Sequence, residues 1–126
     1  MPPAMPERPD RNGRPAMAEP ITYEDFAKIE LRVAKVLEAR PHPNADKLLL
    51  LSVLVNDEPK QIVAGIKQHY TPEQLVGKKI IIVNNLAPVM LRGEASNGML
   101  LAATSGENVI LLTVDDPDCV VGARIK

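Results

Sequence analysis

The chain has 126 residues, of which 45% are hydrophobic and 25% charged, with a formal net charge of −1, one cysteine and no tryptophan. That is the size of one globular domain, since a second would need roughly another 100 residues, and no apolar run approaches the ~20 residues of a membrane-spanning helix. Cys119 alone excludes an internal disulfide, His42 and His69 are too few to complete a structural zinc site with it, and the near-neutral balance means that any nucleic-acid affinity must come from local charge.

Residues 1–20 hold six of the twelve prolines together with Arg8, Asp10, Arg11, Asn12, Gly13 and Arg14. So little apolar surface cannot offset the entropy of ordering, and the stretch reads as a disordered tail or linker ahead of one folded domain over 21–126. Its start has no apolar stretch behind basic residues, so a secretory leader is not supported and a cytoplasmic location is the default expectation. Thr22-Tyr-Glu-Asp25 is a helix-start pattern, with Ile21 and Phe26 placed as a hydrophobic staple, and predicts one or two helical turns. From Ile29 to Ala39, apolar Ile29, Leu31, Val33, Leu37 and Ala39 alternate with Glu30, Arg32, Glu38 and Arg40, which predicts a half-buried strand closed by Pro41 and Pro43. After the turn-rich Pro41–Lys47 connection, Leu48–Val55 reads as a second strand, Asn56-Asp-Glu-Pro59 as a hairpin turn and Lys60–Ala64 as the third strand. Thr71-Pro-Glu-Gln74 combines an N-cap, a proline at the first helical position and a capping-box glutamine, with Gly77 as the stop: one short helix. Lys79–Asn84 is a β-branched fourth strand and Asn85–Gly98 a long loop. Met99–Ala103 and Val109–Thr113 are further strands around Ser105-Gly-Glu-Asn108. One short helix between the third and fourth strands suits an all-β barrel on the OB-fold plan, although an SH3-like barrel or a sandwich fits the same spacing.

The nucleophile elbow, the phosphate loop, the dinucleotide fingerprint and the His-Glu-x-x-His helix are all missing from the sequence. The expectation is a non-catalytic protein with no cofactor and no metal. Asp115-Asp-Pro-Asp118 lacks the spacing of a calcium loop. Charge, however, is segregated. Residues 59–93 carry Lys60, Lys67, Lys78, Lys79 and Arg92 against Glu73 alone, whereas 107–118 carry Glu107, Asp115, Asp116 and Asp118. An OB-fold binds oligonucleotides on strands 2 and 3 and on the loops joining strands 1 to 2 and 4 to 5. Those loops are Pro41–Lys47 and Asn85–Gly98 here, so much of the positive stretch borders that face and can neutralise phosphates. With only Tyr23, Phe26 and Tyr70 as aromatics, a binder that stacks single-stranded bases is disfavoured, and a folded RNA held by backbone shape and 2′-hydroxyls remains. Tyr23, Phe26 and Ile29 at the front, and the β tail from Val109 to Ile125, exceed what a five-stranded barrel needs and predict a homodimer interface.

Six blocks carry a resemblance: Asp25-Phe-Ala-Lys-Ile-Glu-Leu-Arg-Val33, His42-Pro-Asn-Ala-Asp-Lys-Leu-Leu49, Gln61-Ile-Val-Ala-Gly-Ile66, Tyr70-Thr-Pro-Glu-Gln-Leu-Val-Gly-Lys78, Asn85-Leu-Ala-Pro88 and Ser96-Asn-Gly-Met-Leu-Leu-Ala-Ala103. In this order they resemble the tRNA-binding domain family, which includes the C-terminal appendix of bacterial methionyl-tRNA synthetases, free-standing tRNA-binding proteins and synthetase cofactors of the endothelial monocyte-activating polypeptide type. The resemblance implies an OB-fold, usually a homodimer joined through its N- and C-terminal segments, that binds tRNA by shape. Carried over by position, it implies that Asn85, Ser96 and Met99 line the RNA groove and that Lys47, Lys78 and Arg92 contact phosphates. Gln61 would bond a base or sugar, or else serve strand pairing. Where many relatives carry lysine in the Asn-Leu-x-Pro block and soon after it, this chain has Ala87, Val89 and Leu91, leaving Arg92 as that loop's only cation. The implied role is a subunit or detached piece of methionyl-tRNA synthetase, or a stand-alone tRNA binder. The alternatives are a chaperone-like interaction module of the same fold and a scaffold that docks a synthetase.

Overall fold

The computed structural model describes residues 19–126; the Pro-rich segment read as a tail lies outside the described residues except for Glu19 and Pro20. The sheet is built on β1 (Leu31–Pro41). In its first half Leu31 pairs with Val83 of β4 (Lys79–Val83) on one side and with Ile125 of β10 (Arg124–Ile125) on the other. Its second half pairs antiparallel with β2 (Leu49–Leu54), which in turn pairs with β3 (Pro59–Ala64). The β1–β2 register skips Leu37, a bulge that lets the strand bend around the barrel. β7 (Met99–Leu100) adds to β4 and completes the order β3-β2-β1-β4-β7. Closure comes from the segment before β7: the Asn97 amide donates to the Gln61 carbonyl at 2.8 Å, and the Val63 amide donates to the Ser96 hydroxyl at 3.0 Å. This is the five-stranded antiparallel barrel of the OB-fold plan, as expected.

Period-two alternation turns Ala34, Val36, Leu49, Leu51, Val53, Ile62, Ile80 and Ile82 inward, where none is more than 1% exposed. Leu75, fully buried, enters the same core from α2 (Pro72–Leu75). The four residues of α2 could not hold a helix alone. The predicted capping box forms, with the Thr71 hydroxyl accepting from the Gln74 amide and the Thr71 amide donating to the Gln74 side chain. The Gly77 amide then ties the helix exit to the Val36 carbonyl at 2.8 Å. At the other end of the chain α1 (Tyr23–Ala27) is capped by Thr22, also as predicted.

Three boundaries differ from expectation. Asn85–Gly98 is not an irregular loop but contains a hairpin of β5 (Val89–Leu91) and β6 (Glu94–Ser96). Its central residues Arg92 (φ 55°) and Gly93 (φ 91°) are both left-handed, the backbone of a type I′ turn, which matches strand twist. The strand expected over Met99–Ala103 breaks at Leu101: β7 stays in the barrel, whereas β8 (Ala102–Ser105) leaves it to pair with β9 (Asn108–Leu111). The first strand begins at Leu31 rather than Ile29, because the backbone of Lys28 and Glu30 is taken by the side chain of Asn85. Among the described residues no helix is long and apolar enough to cross a membrane.

Candidate nucleic-acid interface

The antiparallel register places Pro41, Leu49 and Ala64 side by side at one end of the barrel. The β1–β2 loop and the turn after β3 therefore meet, and the Lys67 amide donates to the Lys47 carbonyl at 3.4 Å. His42 fixes this end. It is 4% exposed, and its Nδ1 accepts the Asn44 amide at 2.9 Å, which leaves Nε2 to donate to the Leu91 carbonyl, also at 2.9 Å. The Asn44 side-chain amide reaches the Arg92 carbonyl at 3.5 Å. One buried imidazole thus ties the β1–β2 loop to the β5–β6 hairpin, and Lys47, Lys67 and Arg92 ride on segments fastened to one another.

Below this end, the outer face of β1–β3 holds a groove of about 520 Å³ between Leu37, Glu38, Arg40, Ser52, Gln61 and Val76. Glu38, Ser52 and Gln61 form one cross-strand row. Gln61 also joins the groove to the hairpin, its amide donating to the Ala95 carbonyl (2.8 Å) and to a Glu94 carboxylate oxygen (3.3 Å). Lys78 follows Val76 at the groove's helical side, where its carbonyl accepts the Val36 amide at 2.9 Å. Val36 and Pro41 are five residues apart on β1, about 17 Å at strand rise, so Lys78 stands well down the barrel from Lys47.

The remaining expected site residues occupy different surroundings. Ser96 is 2% exposed, and its hydroxyl accepts from Val63 and donates to the Gly98 carbonyl at 2.9 Å. The Asn85 side chain is engaged at both ends, accepting the Glu30 amide at 2.8 Å and donating to the Lys28 carbonyl at 2.7 Å. Met99 is exposed but pairs with Val83, at the end of the barrel opposite Lys47. Tyr23, Phe26 and Ile29 line a separate recess of about 240 Å³ with Arg124, Ile125 and Lys126. Lys47, Gln61 and Arg92 are thus brought to one face, and Lys78 to its edge. Ser96 lies beneath that face, and Asn85 and Met99 lie at the far end.

Sequence reading placed Lys67 only within the general positive stretch, and it missed Arg40 and the clamp made by His42. A histidine between two prolines reads as a structural or surface residue, and its partner is 49 positions away, so no local pattern announces the clamp. It also missed the polar cluster at the far end. There the Glu30 carboxyl is held below its ordinary range by hydrogen bonds from Arg32 and then Asn84, which outweigh its desolvation. Lys60 caps the same cluster through the Asn84 side chain at 2.9 Å. Among the described residues no three His, Cys, Asp or Glu side chains gather to hold a metal ion.

Residues 31–124 match the family model described as "Putative tRNA binding domain". The chain belongs to the tRNA-binding domain family. It is 54% identical over 106 residues to the methionine–tRNA ligase of Thermotoga maritima, covering 84% of this chain and 17% of that protein. It is 50% identical over 108 residues to the methionine–tRNA ligase of Pyrococcus horikoshii, covering 86% and 15%. The chain therefore spans less than a fifth of the length of these curated relatives. The fold superposes on a MetRS-related protein from Pyrococcus horikoshii with a TM-score of 0.80 at 35% identity, covering 86% of this chain and all of the other. It superposes on the CsaA chaperone protein of Picrophilus torridus with a TM-score of 0.78 at 34% identity, covering 84% and 99%. In this tRNA-binding domain the matched range begins at the first residue of β1, so α1 and the backbone that Asn85 holds precede it.

Proposed function

We propose that this tRNA-binding domain is a non-catalytic cytoplasmic module that captures folded tRNA through its backbone, as an accessory domain or subunit of a methionyl-tRNA synthetase or as a free tRNA binder. The observation that carries the reading is the His42 clamp, which fastens the two loops of the OB-fold's oligonucleotide side to each other. Lys47, Lys67 and Arg92 neutralise phosphates there, while Arg40 and Gln61 face the groove below and Lys78 extends the contact along its edge. Ser96 acts by shaping the backbone beneath that face, through β3, and Asn85 by holding the Lys28–Glu30 backbone at the far end of the barrel. Met99 lies where a long ligand leaves it. With so few cations the intrinsic affinity is modest, and tethering to a catalytic body offsets that by raising effective concentration. A homodimer through Tyr23, Phe26, Ile29 and the β10 end doubles the phosphate contacts.

The test is a titration with a mixed tRNA pool at about 50 and 200 mM salt, beside a duplex DNA control. Binding to tRNA is expected to exceed binding to DNA and to fall steeply with salt, and Arg92→Glu to weaken all tRNAs about equally. Salt-independent binding would remove the phosphate role. The likeness to the CsaA chaperone, together with Leu37 and Val76 exposed at the groove, favours a second reading, an interaction module for unfolded chains. Suppression of aggregation that tRNA does not compete away would put that reading first.

A further inference from the structure

The β5–β6 hairpin presents three consecutive large apolar residues to solvent: Val89 is 47% exposed, Met90 63% and Leu91 36%. In its ladder Val89 pairs with Ser96, Met90 with Ala95 and Leu91 with Glu94. The Ser96 hydroxyl meets β3, so alternation puts Val89 and Leu91 on the barrel side and turns Met90, with Ala95, outward. The ribbon is held at several points: the Leu91 carbonyl by His42, the Arg92 carbonyl by Asn44, and the Ala95 carbonyl and Glu94 carboxylate by Gln61. A thioether is thus held out on a fixed support beside Arg92, next to the loop that carries Lys47 and its neighbour Lys67. The loop and hairpin contribute two acids, Asp46 and Glu94, and the second is bonded to Gln61.

Consecutive exposed apolar residues are costly unless something covers them, and the cations beside these, Lys47, Lys67 and Arg92, outnumber the acids Asp46 and Glu94 by one, with Glu94 bonded to Gln61. We infer that Met90 packs against a base plane left open in a folded RNA, the end of a helical stack or an unstacked base, while Arg92 and the loop lysines hold the flanking phosphates. This rests on the tRNA-binding reading above and assigns it a non-ionic contact. The chemistry suits it: methionine is flexible and polarisable and lies well against flat π systems. Apolar side chains including methionine also serve as wedges at base steps in other nucleic-acid complexes. The three aromatics, Tyr23, Phe26 and Tyr70, lie outside the hairpin, so Met90 is the side chain placed to supply a face-on contact there.

An apolar contact releases no counterions, so it shifts affinity without changing the salt dependence. Met90→Ser, Met90→Leu and Arg92→Gln are to be compared with the unmodified chain on the tRNA pool across a salt series, with urea midpoints confirming that each folds. Met90→Ser is expected to weaken binding about five- to tenfold at every salt concentration with a parallel slope, and Met90→Leu to stay within about twofold, whereas Arg92→Gln reduces the slope by about one. A short RNA hairpin, which offers both an open helix end and loop bases, should show the Met90 effect. Wild-type affinity in Met90→Ser, or a changed slope, overturns the inference while leaving tRNA binding intact. A shift in sedimentation with Met90→Ser overturns it by showing that a second copy covers the hairpin. If the unmodified chain binds no tRNA at low salt, the proposed function itself fails.

Discussion

Glu30 accepts hydrogen bonds from Arg32 at 2.8 and 3.2 Å and from Asn84 at 2.9 Å, while Arg32 also reaches the Gly122 carbonyl and Lys60 reaches Asn84. One carboxylate therefore sits among side chains from β1, the end of β4 and the start of β3. Its pKa is lowered from 4.5 in the folded state, chiefly by the Arg32 hydrogen bond and then by Asn84. A depressed carboxyl contributes stability that is fully present above the unfolded-state value and is lost as pH falls through the folded one. Glu30→Gln is expected to lower the urea midpoint at neutral pH, and the gap to the unmodified chain should close as pH drops below 4.5; a gap constant in pH would show that the charge is irrelevant. Nothing local in the sequence marks this cluster, because Glu30 and Asn84 are 54 positions apart. Ser96 shows the reverse: its motif drew attention to it, but only the fold reveals that its hydroxyl meets a backbone amide of β3.

Elements whose signals are local were legible. The capping box of α2 lies within four residues, and the Thr22 cap of α1 likewise, so composition and spacing placed both helices. The first four strands were legible to within a residue or two, the first from alternation and the second and fourth from apolar or β-branched runs, whereas the strand expected over Met99–Ala103 splits at Leu101. The β5–β6 hairpin was not, because its turn puts an arginine at positive φ where Asn, Asp or Gly is the usual signal. What holds Arg92 there is tertiary: the carbonyl before it, of Leu91, and its own carbonyl are bonded to His42 and Asn44. His42→Ala is expected to cost about 1–3 kcal/mol, the range for stripping partners from buried polar groups. It should also expose residues 86–98 to proteolysis before the rest of the barrel unfolds. Cleavage no faster than in the unmodified chain would mean that the hairpin is held by its own turn.

At the scale of the molecule the barrel is polar. Lys47, Lys67 and Arg92 belong to the end marked by Pro41, and α1 and β10 to the end marked by Leu31. Tyr23, 74% exposed, and half-buried Phe26 meet at a tilt with ring centroids 6.5 Å apart in the recess between these termini, an aromatic pair that suits a second copy. The paired substitution Tyr23→Ser, Phe26→Ser is expected to convert a dimer in sedimentation equilibrium at micromolar concentration into a 13.7 kDa monomer with an unchanged circular dichroism spectrum. A monomer before substitution would end the dimer reading. The fold class followed from element order, but the separation of Asn85 and Met99 from Lys47 did not. Residues adjacent in a motif map can lie at opposite poles once strands run antiparallel.

β1 is paired along both edges where it begins, and one of those edges belongs to the last strand. Val33 exchanges backbone hydrogen bonds with Ala123 and Gly122, and Arg32 reaches Gly122 across 90 positions. The first half of β1 leaves the ribosome 90 positions ahead of Gly122, and its outer edge stays open until residues 122–125 follow. An open edge invites wrong partners, so the barrel carries a sticky flank until that late contact forms. Sequence changes in those few late residues would act on how cleanly the barrel closes as well as on the finished fold.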